Sequence, residues 1–154
     1  MKTKIYLATD HAGFSLKEAV KGHLLKKKHA VEDCGAYSYN KDDDYPDFII
    51  PAAEKIAKKN ALGIIFGGSG QGEAIAANKV AGIRAAVFYG AKEDIIKLSK
   101  SHNNVNVLSL GARFLTEKYA LHAVDAWLES SYKKEERHER RLRKIISYEK
   151  KCQH

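Results

Sequence analysis

Strand-like and helix-like stretches alternate along the chain, and this alternation limits the available folds more than any other feature. The apolar strand-like runs are residues 4–8, 30–34, 62–66, 83–88 and 105–110. The helix-favouring stretches are residues 14–28, 47–59, 73–79, 91–100, 116–128 and 133–150. Strands separated by helices connect through right-handed crossovers into a parallel sheet that is covered on both faces. We therefore expect an α/β fold with a doubly wound, parallel five-stranded sheet, three layers and an extra C-terminal helix.

Local details refine this expectation. Residues 63–66 are apolar without alternation, which is typical of a strand buried on both faces. Pro46 suits a helix start, whereas Pro51 would interrupt an ordinary helix, so the sequence leaves open whether this helix begins irregularly or kinks. Residues 35–45 are too polar for a core and predict an exposed connection.

The size and cysteine content indicate one reduced domain. A chain of 154 residues can bury one continuous core without disulfides or metals. No apolar run approaches the roughly 20 residues that a membrane span needs, and no export signal is visible. Cys34 and Cys152 lack the spacing of a zinc site or a disulfide framework. We expect a single domain over residues 1–154, located in the cytoplasm, with no membrane partner.

The positive charge is concentrated near the C-terminus. The formal net charge is +8, and residues 133–151 hold nine Lys or Arg against four Glu, a net of +5. Clustered cations make a nucleic-acid-binding module one hypothesis. The interleaved Glu residues favour a solvated helix face, and no aromatic platform accompanies the cations. Arg137 and Arg141, one helical turn apart with His138 beside them, could instead hold one phosphate group.

The same terminal helix carries an apolar set. Leu142, Ile145 and Ile146 recur at helical spacing. Such a stripe must cover either the chain's own domain or a neighbouring subunit. We expect the active protein to be at least a dimer, because a phosphate-binding pair and an apolar stripe need two surfaces.

The most informative segment is the glycine run Gly67-Gly68-Ser69-Gly70-Gln71-Gly72-Glu73, which follows a buried strand and opens a helix. Its glycines let the backbone approach a ligand closely and point N–H groups at an anion. The dinucleotide pattern G-x-G-x-x-G fails because Glu73 replaces its last glycine. The P-loop pattern fails because Glu73 and Ala74 replace its Lys and Ser or Thr. The run therefore predicts an anion-binding loop of another kind.

Glu73 has two interpretations. A carboxylate in the first helical turn is stabilised by the helix dipole, which is a purely structural role. Alternatively, Glu73 is a proton-transferring base beside an oxyanion that the glycine-loop N–H groups stabilise.

Other loops supply polar groups near the predicted ligand-binding edge. Asp10 and His11 follow the first strand, and Arg113 follows the fifth. Ligands of open parallel sheets bind outside the carboxyl ends of the strands. His102 and Asn103 end the helix before the fifth strand. The alternatives are structural: Asp10 can stabilise a turn, and a histidine at a helix end can satisfy the dipole.

Eight segments in chain order carry a family resemblance. They are Asp10-His11-Ala12-Gly13-Phe14 with Leu16-Lys17, Tyr45-Pro46-Asp47, the glycine run, Ile75-Ala76-Ala77-Asn78-Lys79 followed by Gly82-Ile83-Arg84, Ser101-His102-Asn103-Asn104, Gly111-Ala112-Arg113, Val124-Asp125-Ala126-Trp127 and Arg137-His138-Glu139-Arg140-Arg141. Each motif alone is weak, but the ordered set resembles the type B ribose-5-phosphate isomerases. That family also contains the galactose-6-phosphate isomerase subunits.

The resemblance implies a Rossmann-like isomerase that uses no metal, nucleotide or other cofactor. It also implies a homodimer or dimer of dimers whose active sites are shared between subunits. By the matching motifs, His102 assists opening of the sugar ring, Asp10 and Asn103 hold hydroxyl groups, and Ser69 with the glycine-loop amides holds the enediolate. The phosphate group is assigned to Arg113, Arg137 and Arg141, with His11 and His138 beside them, and the terminal helix acts in the partner's site.

One departure from the family pattern selects the base. Many family members have a catalytic Cys directly after the third strand, where this chain has Gly67. The resemblance is to the branch in which a Glu at the position of Glu73 is the base. The expected reaction interconverts ribose 5-phosphate and ribulose 5-phosphate by proton transfer through an enediolate. A six-carbon substrate such as allose or galactose 6-phosphate is the nearest alternative, and nucleic-acid binding is the alternative from another class.

Overall fold

The computed structural model describes residues 3–90 and 92–152. The strands are β1 (Ile5–Thr9), β2 (Val31–Asp33), β3 (Leu62–Gly67), β4 (Ala85–Phe88) and β5 (Val107–Gly111). The helices are α1 (Phe14–Lys26), α2 (Pro46–Lys59), α3 (Gln71–Ala77), α4 (Asp94–Asn103), α5 (Glu117–Glu129) and α6 (Glu136–Lys151), and a short 3₁₀ helix, His11–Gly13, precedes α1. The predicted alternation is confirmed. Ala91, the first residue of the predicted fourth helix, lies outside the described residues.

All five strands are parallel, in the order β2-β1-β3-β5-β4. The chain first moves from β1 outward to β2 and then returns to β3 on the other side of β1. The winding direction therefore reverses between β1 and β3. In open parallel sheets, ligands bind at the carboxyl ends of the strands beside such a reversal. Asp10, which follows β1, and the glycine run, which begins at the end of β3, flank this crevice.

Apolar clusters cover both faces of the sheet. On one face, α1, α4 and α5 pack around the fully buried Trp127. On the other face, α2 and α3 pack on the sheet through residues such as Ile49 and Ile56. Each fully buried side chain of this size contributes about 1.5–3 kcal/mol to folding. The doubly wound, three-layered, Rossmann-like architecture is confirmed.

The structure answers the question about Pro51 and corrects the predicted start of the terminal helix. Pro46 is the first residue of α2, and the helix continues through Pro51. The terminal helix begins at Glu136 and not at residue 133. The backbone N–H of Lys133 instead donates to the carbonyl of Ser101, at 2.9 Å, which ties the start of this segment to α4.

Helix α6 lies on the chain's own domain but leaves apolar surface open. It packs against α4, and Glu149 accepts a hydrogen bond from the backbone N–H of Gly82, at 3.0 Å. Ile145 and Ile146 nevertheless remain exposed in this single chain. Among the described residues, no helix combines the length and apolar character needed to cross a bilayer.

Candidate active site

The loops after β1, β3 and β5 meet at the carboxyl edge of the sheet. Backbone hydrogen bonds join the last two of these loops: Ala112 N–H donates to Gly67 O at 2.8 Å, and Arg113 N–H donates to Gly68 O at 3.0 Å. The guanidinium of Arg113 lies over Gly68, because a Cβ on that glycine would stand 3.0 Å from Nη1. On the opposite side of the crevice, Asp10 is buried. This edge therefore brings together a glycine loop, a cation and a carboxylate.

Gly70 sets the shape of the glycine loop. Its φ of +76° is in the left-handed region that favours glycine, and it caps the N-terminus of α3. Its carbonyl accepts a hydrogen bond from the Ser109 hydroxyl, at 2.6 Å. The Ser69 hydroxyl accepts from the backbone N–H of Gln71, at 3.3 Å. The loop is thus held from β5 while its N–H groups and those of the first turn of α3 lie beside the crevice.

Glu73 is buried in the first turn of α3, with 4% of its surface exposed. Burial raises the pKa of Glu73 above its ordinary value, and the negative charge of Asp10 raises it further. Its own backbone N–H and the positive charge of Arg113 act in the opposite direction. A carboxylate with a raised pKa accepts a proton more readily near neutral pH than an exposed one does.

The contact between Glu73 and Gly67 explains the departure from the family pattern. A Cβ on Gly67 would overlap the carboxyl group of Glu73. The space that a Cys side chain would enter at this position is therefore filled by the Glu73 carboxyl group. Glu73, which the resemblance predicts as the base, therefore lies directly beside Gly67.

A second group of predicted site residues lies on α4 and α6. His102, near the end of α4, stacks on His138 of α6, with ring centroids 4.4 Å apart and planes at 30°. His138 is buried, and its Nδ1 is 3.2 Å from the carbonyl oxygen of Lys133. Asn103 is the last residue of α4. Arg137 and Arg141 are exposed on α6, where Arg137 Nε donates to Glu135 at 3.1 Å.

The two groups lie at opposite edges of the sheet. Helix α4 ends just before β5 begins, so His102 and Asn103 are at the amino edge, whereas Arg113 follows the carboxyl end of β5. Five residues of strand, at about 3.3 Å each, separate the two edges by roughly 16 Å. One chain therefore brings together Asp10, His11, Glu73, Arg113 and the glycine run, but it does not bring His102, Asn103, Arg137, His138 and Arg141 to them.

The expectation of an exposed connection over residues 35–45 is wrong in part. Ala36 is buried, and the side chain of Asp43 is 8% exposed. Asp43 Oδ1 accepts a hydrogen bond from His11 N–H at 2.9 Å and lies 2.7 Å from Nδ1 of the same residue. The ring of Tyr45 packs on Gly72, since a Cβ there would stand 2.9 Å from the Tyr45 hydroxyl.

Sequence reasoning missed Asp43 and gave Tyr45 no role. Asp43 stands in an acidic run before a helix, which by itself indicates solvent exposure. Tyr45 was visible only as part of a family motif.

One cluster in the described residues has the composition of a cation site. Asp10, His11 and Asp43 place one ligand-type atom each within 4.8 Å of one another. However, Nδ1 of His11 is paired with Asp43, and Asp10 Oδ1 accepts from Ala12 N–H at 2.9 Å. Within this cluster, His11 and Asp43 therefore form a histidine–carboxylate pair.

Comparison with known proteins identifies the family. The sequence profile of the family described as Ribose/Galactose Isomerase matches residues 5–145. Ribose-5-phosphate isomerase B of Mycolicibacterium paratuberculosis is 44% identical over 148 residues, covering 96% of this chain and 92% of that protein. The probable ribose-5-phosphate isomerase B of Mycoplasma genitalium is 40% identical over 156 residues, covering 99% of this chain and 100% of that protein.

Solved structures show the same likeness across the whole fold. The crystal structure of ribose-5-phosphate isomerase B from Mycoplasma genitalium with bound ribulose-5-phosphate superposes with a TM-score of 0.92 at 40% identity, covering 97% of this chain and 98% of that one. The type B ribose 5-phosphate isomerase of Trypanosoma cruzi gives a TM-score of 0.91 at 32% identity, with 99% of both chains covered. The chain therefore belongs to the Ribose/Galactose Isomerase family.

Proposed function

We propose that this protein is an aldose–ketose isomerase that interconverts ribose 5-phosphate and ribulose 5-phosphate. The observation that carries the proposal is the buried carboxyl group of Glu73, placed between a glycine loop, Asp10 and Arg113. Relatives named ribose-5-phosphate isomerase B, and the Mycoplasma genitalium structure with bound ribulose-5-phosphate, support this pair of substrates.

The chemistry needs one base and a site for an oxyanion. Glu73 removes the proton from C2 of the open-chain aldose and returns it to C1, while a proton passes from the C2 hydroxyl to the C1 oxygen. The intermediate is an enediolate, whose negative charge is stabilised by N–H groups of the glycine run, with Ser69 beside them. Asp10 holds a sugar hydroxyl, and Arg113 and His11 contribute positive charge for the phosphate. Substrate and product differ by the position of two protons, so this scheme uses no cofactor.

The remaining site residues act, in this proposal, from a second copy of the chain. His102 would assist ring opening, Asn103 would hold a hydroxyl group, and Arg137, His138 and Arg141 would bind the phosphate. Their place at the opposite edge of the sheet supports a shared site, because none of the described loops of the same chain carries them to Glu73. The exposed Ile145 and Ile146 on α6 support a homodimer or dimer of dimers, since such a face favours burial against a partner. We also place the enzyme in the cytoplasm, in line with two cysteines that are both unpaired.

The direct test is an assay of the purified full-length chain with ribose 5-phosphate, following formation of ribulose 5-phosphate. Allose 6-phosphate and galactose 6-phosphate are assayed in parallel. We expect kcat/KM for the pentose phosphate to exceed both by at least about 10-fold, because a pocket shaped for five carbons must accommodate an extra hydroxymethyl group. A mock purification from the same cells without the expressed chain controls for contaminating isomerase. A preference for either hexose phosphate, or activity equal to that control, would contradict the proposal.

A further inference from the structure

The imidazole of His11 is held by a carboxylate from a distant segment. Asp43 Oδ1 accepts the backbone N–H of His11 at 2.9 Å and lies 2.7 Å from its Nδ1. The Asp43 side chain is more than nine-tenths buried, and its Oδ2 has no hydrogen-bond partner among the described residues. A buried carboxylate is costly unless a cation or hydrogen-bond donors face it. The His11 ring, in its charged form, provides that cation.

This contact fixes the direction of the ring and favours its charged form. With Nδ1–H donated to the carboxylate, Nε2 points away from Asp43, and Nε2 carries a proton when the ring is an imidazolium. In the described part of the chain, the titratable groups that face the ring are Asp43, Asp10, whose Oδ2 is 3.9 Å from Nδ1, and Tyr39, whose ring meets it edge-on at 6.3 Å. The hydrogen bond to Asp43 raises the pKa of His11 and the charge of Asp10 adds to it, while burial opposes both.

The loop that carries Asp43 is anchored at its start. Thr9 N–H donates to Gly35 O at 2.8 Å, and Ala36 N–H donates to Thr9 O at 2.9 Å. The fully buried Lys17 donates from Nζ to Ala36 O at 2.7 Å. The loop then enters α2 at Pro46. Asp43 is therefore presented to His11 by a segment fixed to β1 and α1 at one end and to α2 at the other.

We propose that Asp43 is a positioning residue, which holds His11 as an imidazolium and presents its Nε2–H to the phosphate group of the substrate. The inference rests on the proposed function, in which His11 belongs to the phosphate-binding set. Asp43 itself does not touch the substrate. Through Asp43, the loop of residues 35–45 controls the positive charge of the His11 ring and its Nε2–H donor, both of which act on the dianionic phosphate group.

The test compares Asp43→Asn with the wild type at pH 6 and pH 8. The amide keeps the shape and can still accept the His11 backbone N–H, but it cannot stabilise the ring's charge. At pH 8 we expect KM for ribose 5-phosphate, and Ki for inorganic phosphate as competitor, to rise by about 10-fold, the loss of roughly one charge-assisted hydrogen bond. At pH 6 the His11 ring is largely protonated in both proteins. The difference in KM and Ki between them should therefore shrink to less than about 3-fold. The turnover number should stay within about 2-fold at either pH, because Asp43 is remote from the proton transfer.

Three controls separate positioning from a merely structural role. Asp42→Asn changes the exposed neighbouring carboxylate and should leave KM and Ki unchanged at both pH values. Asp43→Glu restores the negative charge and should recover part of the affinity. In a His11→Gln background, Asp43→Asn should change Ki by less than about 2-fold, because its effect passes through the ring. Two results would overturn the proposal. One is an equal loss of affinity at both pH values. The other is that Asp43→Asn weakens phosphate binding as much in the His11→Gln background as in the wild type.

Nitrogen-15 NMR of the His11 ring gives a readout that does not depend on turnover. We expect Asp43→Asn to lower the pKa of His11, and added inorganic phosphate to shift the Nε2 signal in the wild type. An unchanged His11 pKa, or no response of Nε2 to phosphate, would overturn the inference. These signals can be followed even if ribose 5-phosphate is not isomerised, a result that would refute the proposed function separately.

Discussion

At the scale of single residues, the environment of Glu73 matters more than its place in the chain. A first-turn carboxylate is common in helices, and its stabilising effect at an exposed site is about 0.3–1 kcal/mol. Glu73 differs because it is buried, packs on Gly67 and faces both Asp10 and Arg113. An interaction with the helix dipole does not require burial, whereas a proton-transferring base gains from it.

Glu73→Gln keeps the size of the side chain but removes its ability to accept a proton. We expect the turnover number to fall by at least about 100-fold, the low end of general-base contributions, with KM little changed. Exchange of the C2 proton with solvent should fall in parallel. Glu117→Gln is the matched control, because Glu117 is an exposed first-turn glutamate of α5. Near-normal turnover of the Glu73→Gln protein with a lowered Tm would instead assign Glu73 a structural role.

The pH dependence should report the same carboxyl group. A base acts when deprotonated, so activity is lost as pH falls through its pKa. Because burial and Asp10 raise the pKa of Glu73 above its ordinary value of 4.5, the acid limb of kcat/KM should lie above pH 4.5. Asp10→Asn removes the like charge and should move this limb to lower pH, whatever it does to KM. If the acid limb of the Asp10→Asn protein stays at the same pH as in the wild type, a group other than Glu73 controls it.

At the scale of elements, the glycine loop and the loop after β5 form one unit. Backbone hydrogen bonds from Ala112 and Arg113 join them, and Ser109 holds the carbonyl of Gly70. The oxyanion site therefore depends on β5 as much as on β3. A change that bends the glycine loop should disturb catalysis without touching any charged residue.

Gly70→Ala tests this dependence. The left-handed backbone at Gly70 costs a residue with a Cβ about 1–2 kcal/mol, and the added methyl would stand 3.0 Å from the Ser109 hydroxyl oxygen. We expect a lower Tm together with a reduced turnover number. Gly22→Ala is the control, because Gly22 lies inside α1 with open space around it. That change should stabilise the fold by up to about 1 kcal/mol and leave turnover unchanged. Full activity of the Gly70→Ala protein would contradict the role given to the loop.

At the scale of the whole molecule, the sheet itself separates the two halves of the proposed site. Glu73 lies at the carboxyl edge and the stacked pair His102 and His138 lies at the amino edge. Within one chain, the length of β5 separates the two edges by roughly 16 Å. In the proposed function, a second copy of the chain therefore completes the site.

Mixing two inactive variants tests the shared site. Glu73→Gln and His102→Asn each remove one half, so each homodimer should be nearly inactive. In a dimer of one copy each, one site receives both changes and the other receives none. Random pairing of equal amounts should restore about a quarter of wild-type activity, since half of the dimers carry one intact site of two. No recovery in co-expressed material that forms mixed dimers, as shown by mass spectrometry, would place all the catalytic groups within one chain.

Local sequence determined much of this protein. The alternation of apolar runs defines the parallel α/β fold because burial on a sheet face repeats at short range, and the glycine run with Glu73 is readable because its residues are contiguous. Even so, the ends of some elements differ from those predicted: α3 begins at Gln71 and α6 at Glu136, where the sequence predicted residues 73 and 133.

Tertiary structure alone decided the contacts between distant segments. Asp43 reaches His11 across 32 residues, and the Glu73 carboxyl group fills the space beside Gly67. It also placed His102 and Arg113 at opposite edges, although only 11 positions separate them in the sequence. Such contacts depend on the path of a whole loop or strand through space, and local propensities do not determine that path.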